Sequence, residues 1–279
     1  MVPKVALWRD MHNMQKNNNK IFKFDPELGK IYAIWLREFM VFLREKSRLV
    51  ASTFTPLLWL FVLGGGLGST VSTPFHTSHI DYQKFIFPGI VIMSVIFSSV
   101  FFGAYIIWDR KFDFLKSVMV APVRRSTIFL GKTFGGMTTS LIQAFILLGI
   151  GVFIGVNYTP YSIASFIVIV LMLSFALTSL GLAIGSYMES LEGFQLIVSF
   201  VVFPLYFLSG ALFPLDNIPI WLSILTSINP ATYAVEALRS SMLGVDGKNI
   251  LIVNIGVLLI TTLALGIVGI LSFRRMKAV

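Results

Sequence analysis

The sequence predicts an all-α membrane protein with six transmembrane helices, and three features of its composition support this fold class. Of the 279 residues, 56% are hydrophobic and only 13% are charged, about half the charged share of an ordinary soluble domain. Long stretches carry no Asp, Glu, Lys or Arg, and a bilayer-spanning helix needs about 20 apolar residues. The cationic residues concentrate in a few short segments, which predicts an orientation in the membrane.

Six stretches have the length and hydropathy of a membrane-spanning helix. They lie at 49–68, 85–108, 133–156, 162–187, 194–213 and 250–272. A seventh candidate, within 217–235, is excluded because Pro219 and Pro230 leave only about ten residues between them, too few to cross a core of about 30 Å. We expect this segment to form a short re-entrant or interfacial helical pair.

The distribution of Lys and Arg predicts which ends of these spans face the cytoplasm. All but three of the 22 such residues lie in 1–48, 109–132 and the C-terminal tail. By the positive-inside rule, we expect a multi-pass protein of the plasma membrane with both termini in the cytoplasm. The net charge of +9 then reflects topology and contact with membrane lipids, and no nucleic acid is expected as a partner. The predicted organisation is a cytoplasmic segment at 1–48, a transmembrane domain at 49–273 and a cytoplasmic tail at 274–279.

The segment before the first span is typical of an amphipathic helix at the membrane surface. Pro26 stands at a favoured first helical position, and the residues after it mix apolar and cationic side chains. The aromatic residues share one face, and the arginines are available to lipid headgroups. The residues assigned to this interfacial helix are Trp35, Arg37, Phe39 and Arg44. A soluble helix packed on a partner protein is the alternative.

The triplet Gly131-Lys132-Thr133 matches the end of the phosphate-binding loop motif, Gly-x-x-x-x-Gly-Lys-Ser/Thr. However, Ser126 stands where the motif requires its first glycine, and no charged residue follows Lys132 until Glu189. So apolar a run is incompatible with a soluble nucleotide-binding domain. We therefore interpret Lys132 as a lysine at the entrance of the third span.

Groups suited to catalysis or ion coupling are scarce in the apolar part of the chain. Every Asp, Glu, Lys and Arg is expected outside the spans or at their ends, which argues against an ion-coupled carrier and an intramembrane enzyme. His12 falls in a tail, and His76 and His79 in an external loop, where two ligands without a carboxylate cluster make a poor metal site. We expect no catalytic residue, no metal and no cofactor bound by this chain.

Charged and apolar residues are interleaved directly after the second span. They are Asp109, Arg110, Lys111, Phe112, Asp113, Phe114, Leu115 and Lys116. We predict a short helix lying across the membrane face, with its charges toward solvent and an apolar knob that a separate cytoplasmic subunit can grip. An ordinary loop anchored by its phenylalanines is the alternative.

Three stretches together carry a resemblance to a known family. "FPGIVIMSV" enters the second span, "DRKFDFLKSVMVAPVRR" follows it, and "LSGALFPLDNIPIWLSILTSINPATYAVEALR" precedes the last span. Over about residues 30–275 this order resembles the type-2 ABC exporter permease family, which includes permeases similar to those of daunorubicin-type drug, nodulation lipo-oligosaccharide and O-antigen polysaccharide export. The last stretch is the most specific, and its motif residues are Gly210, Pro214, Pro219, Trp221, Asn229 and Pro230.

The resemblance implies a complete architecture and a function. It implies a coupling helix at about 110–117 that docks in a cleft of an ATP-binding subunit, and an external re-entrant pair at about 214–232 that caps the translocation path. It also implies a homodimer of permeases with two ATPase subunits, so that ATP and Mg²⁺ are used by the partner. The expected function is outward export of a drug-like, lipid-linked or saccharide substrate. An ion-coupled secondary carrier and a non-transporting membrane scaffold are the alternatives.

Several aromatic residues of the spans are candidates to line a translocation path. They are Trp59, Phe97, Phe101, Tyr105, Phe203 and Tyr206. Helical spacing alone does not separate this role from packing or contact with lipid.

Overall fold

The computed structural model describes residues 26–66, 82–112, 123–215, 218–244 and 248–276, and the regular elements in these ranges are all α-helices. In chain order they are α1 Pro26–Arg44, α2 Lys46–Gly66, α3 Tyr82–Phe101, α4 Ala104–Lys111, α5 Arg125–Phe153, α6 Pro160–Tyr187, α7 Leu191–Phe207, α8 Ile220–Ile228, α9 Pro230–Leu243 and α10 Lys248–Arg275. The predicted all-α fold is confirmed for these residues.

Within the described ranges, four helices are long and apolar enough to cross a membrane. They are Tyr82–Lys111, which joins α3 and α4, Arg125–Phe153, Pro160–Tyr187 and Leu251–Arg275. They correspond to the second, third, fourth and sixth predicted spans. The first and fifth predicted spans contain shorter apolar helices, Val50–Gly66 and Leu191–Phe207.

Two predicted boundaries differ from the structure. Helix α5 begins at Arg125 rather than at 133, so the helix has a polar start of three residues, Arg125 to Thr127, and contains Lys132 in its interior. Helix α7 ends at Phe207 rather than at 213. The chain turns there because Gly210 has a φ of 69°, a left-handed conformation that a glycine adopts without steric cost.

Helices α3 and α6 form the centre of the bundle. Every residue of α3 from Phe85 to Ile96 is buried. The two backbones touch where α3 gives way to α4: a Cβ atom on Gly181 would lie 2.2 Å from the carbonyl oxygen of Val100, and one on Gly185 would lie 2.4 Å from that of Gly103. Small residues four apart thus permit the close helix approach that stabilises membrane bundles.

The two ends of the bundle are built differently. At one end α1 packs along α5, and α4 lies beside the last turn of α6; we call this the junction end. At the other end residues 208–215 cover the start of α3, where a Cβ atom on Gly89 would lie 2.6 Å from the carbonyl oxygen of Ala211; we call this the loop end. The predicted features at residues 1–25, at His76 and His79, and at 113–117 lie outside the described residues.

Candidate coupling site at the junction end

Four charged side chains from three helices meet in the interior of the junction end. The ammonium of Lys132 in α5 donates to Glu38 Oε1 at 2.9 Å and to Asp109 Oδ2. Arg37 in α1 donates to Glu38 Oε1 at 2.7 Å and to Asp109 Oδ1 at 2.8 Å. Lys132, Glu38 and Asp109 are buried, while Arg37 is half-buried. This set, which we call the ion cluster, ties α1, α4 and α5 together.

The local sequence of α1 and α5 places these charges in contact. Glu38 lies on the face of α1 that also carries Ile34 and the buried Phe42, so the helix presents a carboxylate within its packed stripe. Two glycines of α5 receive that face: a Cβ atom on Gly131 would lie 2.7 Å from Ile34 Cβ, and one on Gly135 would lie 2.6 Å from Glu38 Cβ. The glycines therefore allow α1 to lie directly on α5, within reach of Lys132.

The charges of the ion cluster balance, two carboxylates against two cations. Partial burial lowers the pKa of Arg37, but the hydrogen bond and charge of Asp109, together with Glu38, outweigh burial and leave that pKa above its ordinary value. Removing ions from water costs several kcal/mol each, on the order of what well-aligned partners return. The loss of any one member consequently leaves a buried charge unbalanced.

The triplet Gly131-Lys132-Thr133 has a packing role in this structure. It lies inside α5, after the polar first turn, and the Thr133 hydroxyl donates to the carbonyl oxygen of Phe129 at 2.9 Å. A phosphate-binding loop instead presents free backbone amides at the N-terminus of a helix. The prediction that Lys132 marks the entrance of the third span is refined, because the lysine is a buried partner of two carboxylates.

Helix α4 joins the ion cluster to an exposed aromatic surface. Arg110 donates to the carbonyl oxygens of Ser186 and Met188, at 3.0 and 2.9 Å, and so satisfies the C-terminal end of α6. On the other side of α4, the rings of Trp108 and Phe112 stack with centroids 5.6 Å apart, and Phe112 is 69% exposed. Lys111 Nζ lies 5.7 Å from the centre of the Trp108 ring.

These contacts divide the residues of the predicted coupling helix. Asp109 and Arg110 face the bundle, whereas Lys111 and Phe112 face outward with Trp108. The expectation that all the charges point to solvent is therefore wrong for Asp109, which is buried by its pairing with Lys132 and Arg37. Asp113, Phe114, Leu115 and Lys116 lie outside the described residues.

Two surface clefts flank α4. The first, about 620 Å³, is lined by residues of α1 and α4 that include Arg37, Tyr105 and Phe112. The second, about 550 Å³, lies between α4 and the turn before α7, and Lys111, Glu189 and Glu192 are among its lining residues. The exposed aromatic pair projects from the surface near these two clefts. A surface with a projecting apolar group beside open clefts is suited to contact with a protein partner.

The other residues assigned to the interfacial helix have distinct environments. Trp35 donates from Nε1 to the Thr138 hydroxyl at 2.8 Å and stacks on Phe39 with ring centroids 5.7 Å apart. Arg44, in the last turn of α1, is exposed. Arg37 belongs to the ion cluster, so its assignment to lipid headgroups is replaced by a pairing inside the protein.

The motif of the loop end gathers around the turn between α8 and α9. Asn229 caps α9 by accepting from the backbone amide of Ala231 at 3.0 Å, and donates from Nδ2 to the carbonyl oxygen of Leu205 at 2.8 Å. Pro230 occupies the first position of α9. Arg239 reaches the carbonyl oxygen of Gly210 at 2.9 Å and lies over the Phe85 ring at 3.9 Å.

The remaining motif residues lie at the periphery of this turn. Pro219 precedes α8, and Trp221 on α8 is exposed, whereas Pro214 is half-buried in the segment before it. Helix α9 extends to Leu243, eleven residues beyond the predicted end of the pair at 232, and is largely buried among α3, α6 and α10. The pair thus consists of an exposed short helix and a buried longer one.

Of the six aromatic residues considered for a path, three come together. Phe97 stacks on Phe101 with centroids 6.0 Å apart and meets Phe203 edge to face at 5.9 Å. The others have separate environments: Tyr206 is buried, the Tyr105 hydroxyl donates to Glu45 at 2.7 Å, and Trp59 is exposed on α2.

Sequence reasoning did not identify Glu38 and Lys132 as partners. The available signal was a carboxylate on the apolar stripe of α1 and a lysine followed by 56 uncharged residues. Neither signal specifies its partner, because the two positions and Asp109 are far apart in the chain. In the described ranges, no three His, Cys, Asp or Glu side chains lie close enough to hold a metal ion.

The fold and the junction end define a polytopic membrane protein whose charged interior ties an N-terminal helix to the bundle. Residues 29–243 match the ABC-2 type transporter family, and the chain belongs to it. Members of this family generally pair with an ATP-binding subunit. The chain is accordingly the membrane subunit of an ABC transporter, in agreement with the resemblance given by the sequence.

Relatives along most of the chain are consistent with this assignment. The chain is 29% identical over 261 residues to the ycf38 protein of Cyanophora paradoxa, covering 89% of each chain. It is 29% identical over 242 residues to the inner membrane transport permease YadH of Escherichia coli strain K12, covering 83% of this chain and 90% of that protein. It is 26% identical over 217 residues to nodulation protein J of Rhizobium leguminosarum bv. trifolii, covering 76% and 80%.

Proposed function

We propose that this chain is the permease subunit of an exporter that moves a drug-like, lipid-linked or saccharide substrate outward across the plasma membrane. ATP hydrolysis takes place in a separate subunit, which also binds Mg²⁺. The observation that carries this proposal is the exposed aromatic pair of α4, held to the bundle by the ion cluster in a chain of the ABC-2 type transporter family. The name of YadH, an inner membrane transport permease, agrees with transport without specifying a cargo for this chain.

The ATPase docks on the junction end. Phe112 and Trp108 form the knob, and the two clefts beside α4 receive side chains of the partner. Because Asp109 is paired with Lys132 and Arg37, a displacement of α4 by the partner is transmitted to α1 and α5 rather than absorbed locally.

The topology has six spans with the junction end in the cytoplasm. Helices α2 and α7 supply the first and fifth spans, and their short apolar stretches cross the bilayer with the help of flanking residues. This arrangement keeps both termini and most Lys and Arg residues on the cytoplasmic side, as the positive-inside rule requires. Helices α8 and α9 then cap the external end of the path.

Two copies of the chain form the transporter, and α2 and α7 supply the interface. Both helices carry large apolar side chains that the described part of the chain leaves exposed: Val50, Phe54, Leu58, Phe61, Leu196, Phe200, Phe203 and Phe207. A second copy would cover these residues with a matching surface, as an isologous dimer requires. The exposed face of α10, with Ile260 and Leu263, is left for membrane lipids.

The test is the ATPase rate of nanodiscs that contain this chain with its candidate nucleotide-binding partner. We expect the chain to stimulate the partner, and Phe112→Asp and Phe114→Asp to abolish the stimulation while leaving membrane insertion intact. Phe153→Asp is the matched control, because Phe153 is 90% exposed at the opposite end of α5. Stimulation that survives both Phe112→Asp and Phe114→Asp, or that Phe153→Asp abolishes equally, would refute docking on this surface.

One observation favours a second candidate, an ion-coupled carrier. Asp109 and Glu38 are buried carboxylates, which the sequence did not reveal, and such groups often relay protons in membrane proteins. Their complete pairing with Lys132 and Arg37 at the end of the bundle agrees better with a structural tie. Transport in nucleotide-free vesicles driven by a pH gradient, and lost in Asp109→Asn, would establish the carrier instead.

A further inference from the structure

Four arginines meet where helix α5 begins and helix α10 ends, and we call them the arginine patch. Arg125, in the first turn of α5, donates to the carbonyl oxygens of Arg274 and Met276 at 2.9 and 2.6 Å. Arg124 precedes it as the N-cap residue of α5, and Arg275 follows Arg274 in the last turn of α10. The hydrogen bonds of Arg125 thus gather the other three arginines at one edge of the junction end.

Apolar packing beneath the arginine patch fixes its position. The rings of Phe129 in α5 and Phe273 in α10 meet edge to face with centroids 5.2 Å apart, and both side chains are buried. Met276 packs in the same apolar cluster. The start of α5 and the end of α10 are therefore held together beneath the surface, so the substitution of an exposed arginine is not expected to separate the two helices.

Three arginines of the patch have no counter-charge. Arg124, Arg274 and Arg275 are exposed, and none of them is paired with a carboxylate in the part of the chain that the structure describes. The hydrogen bond from Thr127 and, more weakly, the charge of Arg124 lower the pKa of Glu27, so this nearby carboxylate is already engaged. Like charges at close range repel, and the patch therefore favours an anion from outside the chain.

An exposed apolar stripe of α10 leads directly to the arginine patch. It consists of Ile260, Leu263, Ile267 and Leu271, which are between 48% and 68% exposed. Successive members are three or four residues apart, and Arg274 follows Leu271 at the same spacing, so these residues lie on one face of the helix. The proposed dimer interface lies on other helices, α2 and α7. Because α10 is long and apolar enough to cross a membrane, its stripe is suited to contact with acyl chains.

The stripe and the patch together match the two parts of an acidic phospholipid. The apolar side chains of the stripe suit acyl chains, and arginine binds phosphate through charge-assisted, bidentate hydrogen bonds. Basic residues at the end of a membrane helix are a frequent site for anionic headgroups. An acidic protein surface would use the arginines but not the apolar stripe, so the combination favours the lipid.

We propose that the arginine patch binds the phosphate of an acidic phospholipid whose acyl chains lie along the exposed stripe of α10. Arg124, Arg274 and Arg275 contact the headgroup, and Arg125 positions Arg274 through the backbone of α10. The lipid neutralises the patch and so stabilises the contact between α5 and α10. This binding requires neither an ATPase nor a cargo and does not rest on the proposed function.

The experiment is native mass spectrometry of the full chain, released from detergent with added dioleoyl phosphatidylglycerol or dioleoyl phosphatidylcholine. The two lipids have the same acyl chains and both contain a phosphate, but only phosphatidylglycerol has a net negative charge. One arginine near an anionic headgroup changes binding about fivefold. We expect the first phosphatidylglycerol molecule to bind at least about fivefold more tightly than phosphatidylcholine. Equal binding of the two lipids would overturn the proposal.

Variants assign the lipid preference to the patch. Arg274→Gln and Arg275→Gln should each weaken binding of phosphatidylglycerol about fivefold, and the double variant should approach the level of phosphatidylcholine. Arg44→Gln is the matched control, because Arg44 is an exposed arginine at the far end of α1. If a variant of α10 does not fold, Arg124→Gln supplies the same test from α5. An equal effect of Arg44→Gln would show that the lipid responds only to the overall charge of the chain, and would overturn the proposal.

Two further arms separate the phospholipid from other sources of an anion. Excess glycerophosphoglycerol, the same headgroup without acyl chains, should leave phosphatidylglycerol bound, and complete displacement would show that the stripe of α10 contributes nothing. Loss of ATPase stimulation in Arg274→Gln, without any preference for phosphatidylglycerol, would replace the lipid by an acidic surface of the ATPase. Selective lipid binding without stimulation of a partner would support the lipid site and remove only the export role.

Discussion

The junction end and the loop end are both held by buried polar groups, but the groups differ in kind. At the junction end, the carboxylates of Glu38 and Asp109 face the cations of Arg37 and Lys132. At the loop end, Asn229 and the buried cation Arg239 donate to backbone carbonyl oxygens. Removing a cation from the junction end leaves a carboxylate as an unpaired buried ion, whereas removing a donor from the loop end costs a carbonyl oxygen one hydrogen bond. The stability of the junction end should therefore be more sensitive to the loss of a single side chain.

The largest effect is expected for Lys132→Met. The substitution leaves two buried carboxylates with Arg37 alone, and breaking a buried ion pair typically costs about 3–5 kcal/mol. We expect a large fall in the thermal unfolding midpoint in detergent, followed by tryptophan fluorescence. The double variant Lys132→Met/Asp109→Asn restores the balance of charge and should recover part of the loss. Lys111→Met at an exposed position is the control, and equal midpoints for the two single variants would contradict the role of the ion cluster.

The next effect concerns the helix contact that brings the charges together. A Cβ atom on Gly135 would lie 2.6 Å from Glu38 Cβ, so Gly135→Ala forces α1 away from α5. Such overpacking costs about 1–3 kcal/mol. Gly149→Ala is the matched control on the same helix, because a Cβ atom there meets nothing within 4 Å. The unfolding midpoint should fall for Gly135→Ala and stay equal or rise for Gly149→Ala, and the reverse order would show that α1 does not pack closely on α5.

The contrast between the two ends also explains what could be predicted from sequence. Helix positions and type followed from local composition, since an uncharged run of about 20 residues has few alternatives to a membrane helix. The motif around Asn229 and Pro230 was found through its resemblance to a known family, and the capping contact that the structure shows there joins residues close in the chain.

The ion cluster was hidden for the opposite reason. Lys132 and Glu38 are 94 residues apart, and Lys132 and Asp109 are 23 apart. In the sequence alone, Lys132 stands at the start of a long apolar run, and the positive-inside rule already explains a cation at that position. Nothing in the sequence therefore suggests that Lys132 is paired. Only the packing of α1 on Gly131 and Gly135 reveals that Lys132 points inward and is paired. The arginine patch was hidden likewise, since Arg125 and Arg274 are 149 residues apart.

At the loop end a smaller loss is expected for Asn229→Ala. The substitution removes the cap of α9 and the hydrogen bond to Leu205, each worth about 1 kcal/mol. Asn229→Ser keeps a side-chain oxygen at the cap position that can accept from the first turn of α9 but cannot reach Leu205, so its unfolding midpoint should lie between those of Asn229→Ala and the unmodified protein. A midpoint for Asn229→Ala as low as that for Lys132→Met would remove the distinction between the two ends.

The smallest effect is expected where α1 begins, at the exposed edge of the junction end. Glu27 accepts from the Thr127 hydroxyl at 2.5 Å and from Lys30 at 3.0 Å, and these bonds hold the pKa of Glu27 below its ordinary value. The ionised carboxylate is thus favoured in the folded state, so its contribution to stability is present above the unfolded pKa and is lost as the pH falls through the lowered pKa. Thr127→Val should therefore increase hydrogen exchange in the first turns of α1 at neutral pH, and the difference from the unmodified protein should shrink as the pH falls below the lowered pKa. Comparing both proteins at each pH cancels the intrinsic pH dependence of exchange. If the difference in hydrogen exchange between Thr127→Val and the unmodified protein does not change with pH, Thr127 positions α1 by packing alone. The ion cluster would then be the part of the junction end whose contribution to stability depends on charge.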